Sequence, residues 1–252
     1  MQLYTSIEIE QLQQDISALT EINAWVKTFL GRPHRDLGRS GPVCPFVPQA
    51  LKSDSIRSTV IRAKNLEPQQ IEEIVLNYRD TFLELEPRDR EVGINKVILL
   101  VFPDIPLDDT DKMIDAVQQK LKPFFVESGL MLGEFHNRTE SPGLHNPNFR
   151  PLRSPIPLLA IRYMVEVDLP FLQGAEDLGL RVRYLEAYLR LFDKGGKDSV
   201  YLTNARRALA LAKTQLPQEN ILASTPDISP TYATDISLPV RPAGSCPFAH
   251  SR

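Results

Sequence analysis

The two cysteines of the chain sit in the same tripeptide, Cys44-Pro45-Phe46 and Cys246-Pro247-Phe248. Proline after cysteine removes a backbone donor and pushes the cysteine toward extended backbone. A thiol held that way projects from a turn, where it can ligate a metal or haem iron, attack an electrophile, or stay inert. The densest group of chemistry-bearing side chains lies at residues 133–155, where His136, Arg138, His145, Arg150 and Arg153 stand among prolines. A proline-stiffened loop directly after a strand holds polar side chains with little entropy lost. Active sites of open sheets gather at such strand ends. Residues 31–50 form a similar loop that carries Arg32, His34, Arg35, Arg39 and Cys44. If both loops leave the sheet at one edge, a single pocket collects His34, Cys44, His136, His145 and several arginines.

Each of these residues also has a plain structural role to weigh. His136 can cap backbone groups at the strand end, His145 suits the Asn146-Pro147 turn, and His34 suits an exposed loop. Arg150 and Arg153 fit carboxylate or phosphate recognition, and equally fit ion pairs with the protein's own acids. Cys44 can be a half-buried, inert thiol. Common signatures are absent: there is no Cys-x-x-Cys or His-x-x-x-His zinc pattern and no Gly-x-Ser-x-Gly elbow. Gly195-Gly196-Lys197 reads as a turn between helices rather than a phosphate loop. Asp108-Asp109-Thr110-Asp111 reads as an acidic helix start rather than a calcium loop.

The elements that must position these residues follow from periodicity. Apolar residues at helical spacing predict helices over 6–30, capped at Ser6, and over 68–85, 108–128, 175–192 and 200–216. Strands are predicted over 55–63, 96–102, 130–135 and 157–165; the run from Lys96 to Phe102 reads as a central strand buried on both faces. The order predicts an α+β fold with a mixed sheet of about four or more strands, helices mainly on one face and a helical C-terminal part. Residues 1–216 form one domain in this reading. Residues 217–252 are proline-rich with little apolar periodicity and read as an extended tail bearing Cys246 and His250.

Composition bounds the function. Of 252 residues, 42% are hydrophobic and 24% charged, as in ordinary soluble proteins, and a net charge of -3 offers no basic field for nucleic acid or anionic membrane. No apolar stretch approaches the length of a membrane span and the N-terminus does not resemble a signal peptide. A cytoplasmic protein with reduced thiols is therefore expected.

The Cys-Pro-Phe loop, the buried strand ending in Val101-Phe102-Pro103, Gly133-Glu134-Phe135-His136, and then Gly143-Leu144-His145-Asn146-Pro147-Asn148-Phe149-Arg150-Pro151-Leu152-Arg153-Ser154-Pro155 resemble an uncharacterised bacterial domain family over residues 31–172. More distantly, the layout resembles the YqcI/YcgG-type proteins, which include haem-dependent oxygenases acting on guanidine nitrogens. That resemblance implies a haem protein that oxidises or N-oxygenates a small polar metabolite. His136 is then the axial ligand, with Cys44 as the alternative. Phe46, Phe135, Phe149 and Met164 would line the slot, and Arg150, Arg153 and Arg162 would meet the propionates. This chain departs from those proteins in having Asn137 after the histidine and Arg162-Tyr163-Met164 in the later strand. Two other readings stay open. One is a non-enzymatic protein that engages a partner through its proline-rich loops and tail; the other is a metal-free enzyme with Cys44 as nucleophile and His34 or His136 as base.

Overall fold

The computed structural model describes residues 3–194 and 199–216. Gly195-Gly196-Lys197 and the expected tail, with Cys246 and His250, lie outside the described residues. The first helix, α1 (Ser6–Trp25), starts with a reciprocal cap: the Glu8 amide donates to the Thr5 hydroxyl, and the Thr5 amide donates to the Glu8 carboxylate at 2.7 Å. Thr5, one residue before the expected Ser6, is therefore the cap. The helix runs without a break into a π turn, Val26–Leu30. A short helix follows in the first long loop, α2 (Val47–Lys52), and leads into β1 (Ile56–Val60). Helix α3 (Pro68–Glu84) crosses to β2 (Val97–Val101), and a second π turn, Asp111–Asp115, opens α4 (Ala116–Glu127). Strands β3 (Leu130–Phe135) and β4 (Leu158–Tyr163) then enclose the second long loop. Helices α5 (Leu169–Gln173), α6 (Leu178–Phe192) and α7 (Val200–Gln215) complete the described chain.

The sheet order is β1-β2-β4-β3. β1 is parallel to β2, while β4 is antiparallel to both β2 and β3. The sheet is thus open, mixed and four-stranded, in an α+β fold. β2 is central, and its near-continuous apolar run is buried from Ile98 to Phe102. Alternation divides its side chains between two cores. Ile98, Leu100 and Phe102 join Leu130, Leu132, Leu159 and Ile161 beneath α3 and α4. Leu99, Val101 and Leu158 face the other way, onto Ala18, Ile22 and Val26 of the N-terminal helix and its π turn. Helices were expected mainly on one face; the two crossover helices do share a face, and α1 adds a layer on the other. A third core joins α6 and α7 to Met131, Met164 and Val126.

The topology puts the C-terminal ends of β1, β2 and β3 and the start of β4 at one end of the sheet. The exposed edge of β3 is protected there. Gln118 of α4 donates its side-chain amide to the Leu132 carbonyl at 2.8 Å, so a buried polar pair closes part of the edge.

Candidate functional site

Three parts of the chain meet at that end: the helix around Trp25, the second π turn and the loop 136–157. The loop is braced from within. Arg150 Nε donates to one oxygen of Glu140 at 3.1 Å, and Arg153 Nη2 donates to the other at 2.6 Å. The hydrogen bond from Arg150 holds the Glu140 carboxyl below the usual range; desolvation opposes it, and the Arg153 hydrogen bond and the charges of both arginines add to it. Arg153 Nε also reaches the Thr139 carbonyl. The first long loop folds back on this one. Asn146 donates its side-chain amide to the Asp36 carbonyl at 2.7 Å, and the His34 ring stacks on Phe149 at 4.7 Å. Gly38 has φ +77°, and a Cβ there would stand 2.6 Å from the His145 carbonyl oxygen, so only glycine allows this approach.

The expected convergence of the two loops is therefore real, but it divides the candidate residues. His34, His136, His145, Phe149, Arg150 and Arg153 gather at the C-terminal end of β3. Cys44, Phe46 and Arg162 do not. The first loop returns on itself through a bridge between Pro33 and Pro42, and the Cys44 amide donates to the Leu30 carbonyl. Arg162 sits four residues further along β4 than Leu158, the partner of Phe135, about 13 Å away. Its guanidinium lies over the Phe46 ring, 5.2 Å from the centroid, and closes on Asp168 through two hydrogen bonds of 2.7 Å. Burial opposes its charge, but the hydrogen bonds and charge of Asp168, with Cys44 adding, hold Arg162 above its ordinary pKa.

His136 is 1% exposed. Its Nε2 lies 2.8 Å from Oδ1 of Asp115, the last residue of the second π turn. Its Nδ1 is buried without a hydrogen-bond partner among the described residues. Two clefts open beside this pair. The first, of ≈ 410 Å³, is lined by Trp25, Phe29, Phe149 and Pro155 with Arg150 and Ser154. The second, of ≈ 530 Å³, is lined by Asp111, Asp115, Arg138, Thr139 and Glu140. Asn137 and Arg153 belong to both, so the clefts adjoin over the end of the sheet. The rings of the aromatic wall pack on one another: Trp25 lies edge-on against Phe135 at 5.7 Å and stacks with Phe29 at 6.1 Å. Each described π turn supplies lining residues, Phe29 from one and Asp111 and Asp115 from the other, and π turns recur at functional sites.

The charges of the polar cleft are unequally matched. Arg138 pairs with Asp108 at 2.7 Å, and Arg150 and Arg153 pair with Glu140. Asp111 and Asp115 have no arginine or lysine partner among the described residues. Asp115 is fixed by His136 instead, and 29% of its side chain stays exposed.

Glu134 shares the His136 face of β3. Burial holds its carboxyl above the usual range; its own backbone hydrogen bond opposes this, Asp115 reinforces it, and Lys122 and His136 ease it. The folded state therefore keeps this proton to a higher pH than the unfolded chain. The associated stability is complete below the ordinary glutamate pKa and is lost as pH rises through the folded one. Glu134→Gln is expected to melt with the parent near about pH 4 and above it at pH 7. Calorimetry at both values checks this; identical pH profiles would refute it.

As a haem ligand His136 fits poorly: with Nε2 held by Asp115 only Nδ1 is left for iron, and that atom is buried in a ring that lines neither cleft. Arg162 and Cys44 lie at the other end of the sheet, so the residues expected around haem are not gathered in one place. Among the described residues, no group of three or more His, Cys, Asp or Glu is arranged to hold a metal ion. Asp115, Trp25 and Phe29 are cleft residues that the sequence patterns did not single out, and Asp111 figures there only as part of an acidic helix start. The spacing of Asp111 and Asp115, one helical turn apart at a helix start, is the signal that was available.

The chain is thus an α+β domain with two adjoining clefts at the strand ends. The family model described as Domain of unknown function (DUF6875) matches residues 19–202, and the chain belongs to that family. This agrees with the resemblance to an uncharacterised domain family and extends it beyond residues 31–172. It carries nothing toward the YqcI/YcgG-type proteins. No curated protein and no solved structure matches the chain. No helix among the described residues is long and apolar enough to cross a membrane.

Proposed function

We propose that this protein binds a small organic cation with an apolar or aromatic portion in the joined clefts. The observation that carries this reading is the adjacency of an aromatic wall to two carboxylates, Asp111 and Asp115, that have no arginine or lysine partner among the described residues, across the shared residues Asn137 and Arg153. The combined space falls within the range of small-molecule sites. A ligand ammonium or amidinium would replace the missing counter-charge of Asp115, while its apolar part would lie against Trp25, Phe29 and Phe149. The role of His136 in this reading is positional: it fixes one carboxylate oxygen and leaves the other for the ligand.

Calorimetric titration with an arylalkylamine, beside the matching arylalkyl carboxylate, tests the proposal. The amine is expected to bind and the carboxylate not. Asp115→Asn is expected to weaken the amine by at least about tenfold, or about 1.4 kcal/mol. Unchanged affinity in Asp115→Asn, or preference for the carboxylate, would refute the cation site. The haem-dependent oxidation implied by the distant resemblance has its own test. Titration with haemin is expected to give no Soret band sensitive to His136→Ala or Cys44→Ala; such a band would return the iron to one of them.

A further inference from the structure

The loop over the joined clefts holds a second charge imbalance, opposite in sign to that of Asp111 and Asp115. Arg150 and Arg153 both line the first cleft, and one carboxylate, Glu140, serves them both. Two positive charges thus stand against one negative. Glu140 closes neither guanidinium: it takes one hydrogen bond from Arg150 Nε and one from Arg153 Nη2, whereas Asp168 takes both Nη atoms of Arg162. Arg150 Nη2 and Arg153 Nη1 have no hydrogen-bond partner among the described residues. Arg150 also donates to the Pro147 and Phe149 carbonyls and Arg153 to that of Thr139, so backbone groups steady both heads apart from Glu140. The Glu140 side chain is 73% exposed. Ion pairs this open to water add little, and releasing the carboxylate returns its charge to solvent.

We propose that the joined clefts take an aromatic α-amino acid: its carboxylate on Arg150 and Arg153 in place of Glu140, its ammonium on Asp111 and Asp115, and its ring against Trp25, Phe29 and Phe149. This rests on the cation reading above and adds the anionic half of the ligand. Arg153 belongs to both clefts, so it stands where the carboxylate and the ammonium of one ligand carbon come together. Planar guanidinium groups with unused N–H donors suit a carboxylate. Glu140 is then a placeholder. It shows that the arginine pair accepts a carboxylate, and it yields to one that brings an ammonium and a ring with it. A carboxylate without the ammonium must still displace Glu140 and gains nothing from Asp115.

Calorimetric titration of the full chain with phenylalanine, phenylethylamine and phenylpropionate tests this, since the three share one skeleton. Phenylalanine is expected to bind at least about tenfold more tightly than the amine, and phenylpropionate not to bind. Glu140→Gln removes the competing carboxylate and is expected to widen the ratio of amino-acid to amine affinity. Arg150→Gln/Arg153→Gln is expected to bring that ratio to about one. If the double variant fails to fold, Glu140→Gln decides alone. Equal affinity for phenylalanine and the amine in the parent would overturn the inference and leave the cation site standing. A ratio kept in the double variant, or narrowed in Glu140→Gln, would overturn it as well. Binding of neither phenylalanine nor the amine would remove the cation site and this inference together.

Discussion

Replacing Asp168 by alanine is expected to cost about 3–5 kcal/mol of folding stability. Asp168 is 1% exposed and receives both Nη atoms of Arg162 at 2.7 Å and the Val165 amide at 2.8 Å. Its carboxylate therefore ties the end of β4 to the start of α5. Alanine would leave a largely enclosed guanidinium without a counter-charge and one amide without an acceptor. The loss comes chiefly from that abandoned charge, so removing both partners is expected to hurt less. Arg162→Met/Asp168→Leu should recover most of the deficit. Urea denaturation of the two single variants and the double variant gives the coupling energy. A deficit below about 1 kcal/mol for Asp168→Ala would show that water reaches the pair.

Phe82→Ala is expected to be of similar size, about 3–5 kcal/mol. The ring projects from α3 and is fully buried, meets Tyr163 edge-on at 5.0 Å, and has Lys96 Nζ 4.6 Å above its centroid. Lys96 is itself 3% exposed and donates to the Leu85 and Pro87 carbonyls. Burial lowers its pKa, with Glu86 opposing. Alanine would remove packing from the core and one of the aromatic faces over which this ammonium lies. Phe82→Leu keeps most of the volume and loses only the ring, so it should fall between alanine and the parent. Thermal unfolding of the three proteins orders them; equal stability of the alanine and leucine variants would mean that volume contributes nothing here.

The parts of the fold that were legible in the sequence are those where one local pattern decides. The apolar run of β2 marked a strand buried on both faces, and the stripe Ile71, Val75 and Phe82 marked α3. Helices α2 and α5 were not legible, because five or six residues are too few to show a helical period. The site was half legible. His136, Phe149, Arg150 and Arg153 stood out because they are crowded into one proline-rich loop. Asp115 did not, since its bond to His136 joins residues 21 apart in the chain and leaves no trace in either neighbourhood. Cys44 shows the opposite failure. Its tripeptide is conspicuous, yet the fold of the loop returns it to Leu30 and Arg162, away from the histidines. Local sequence describes what a residue can do; the path of the chain decides which residues it meets.

The π turn at Val26–Leu30 also governs how α1 and the cleft are placed together. A π turn amounts to one residue inserted into an α-helix, and each residue of a helix turns the chain by about 100°. The insertion therefore sets the phase between α1 and the segment holding Phe29 and Leu30. Deleting one residue there would rotate one half of the helix against the other. Either Phe29 would leave the aromatic wall, or Ala18 and Ile22 would turn out of the core beneath α1. One inserted residue thus couples the packing of α1 on the sheet to the shape of the cleft at its end.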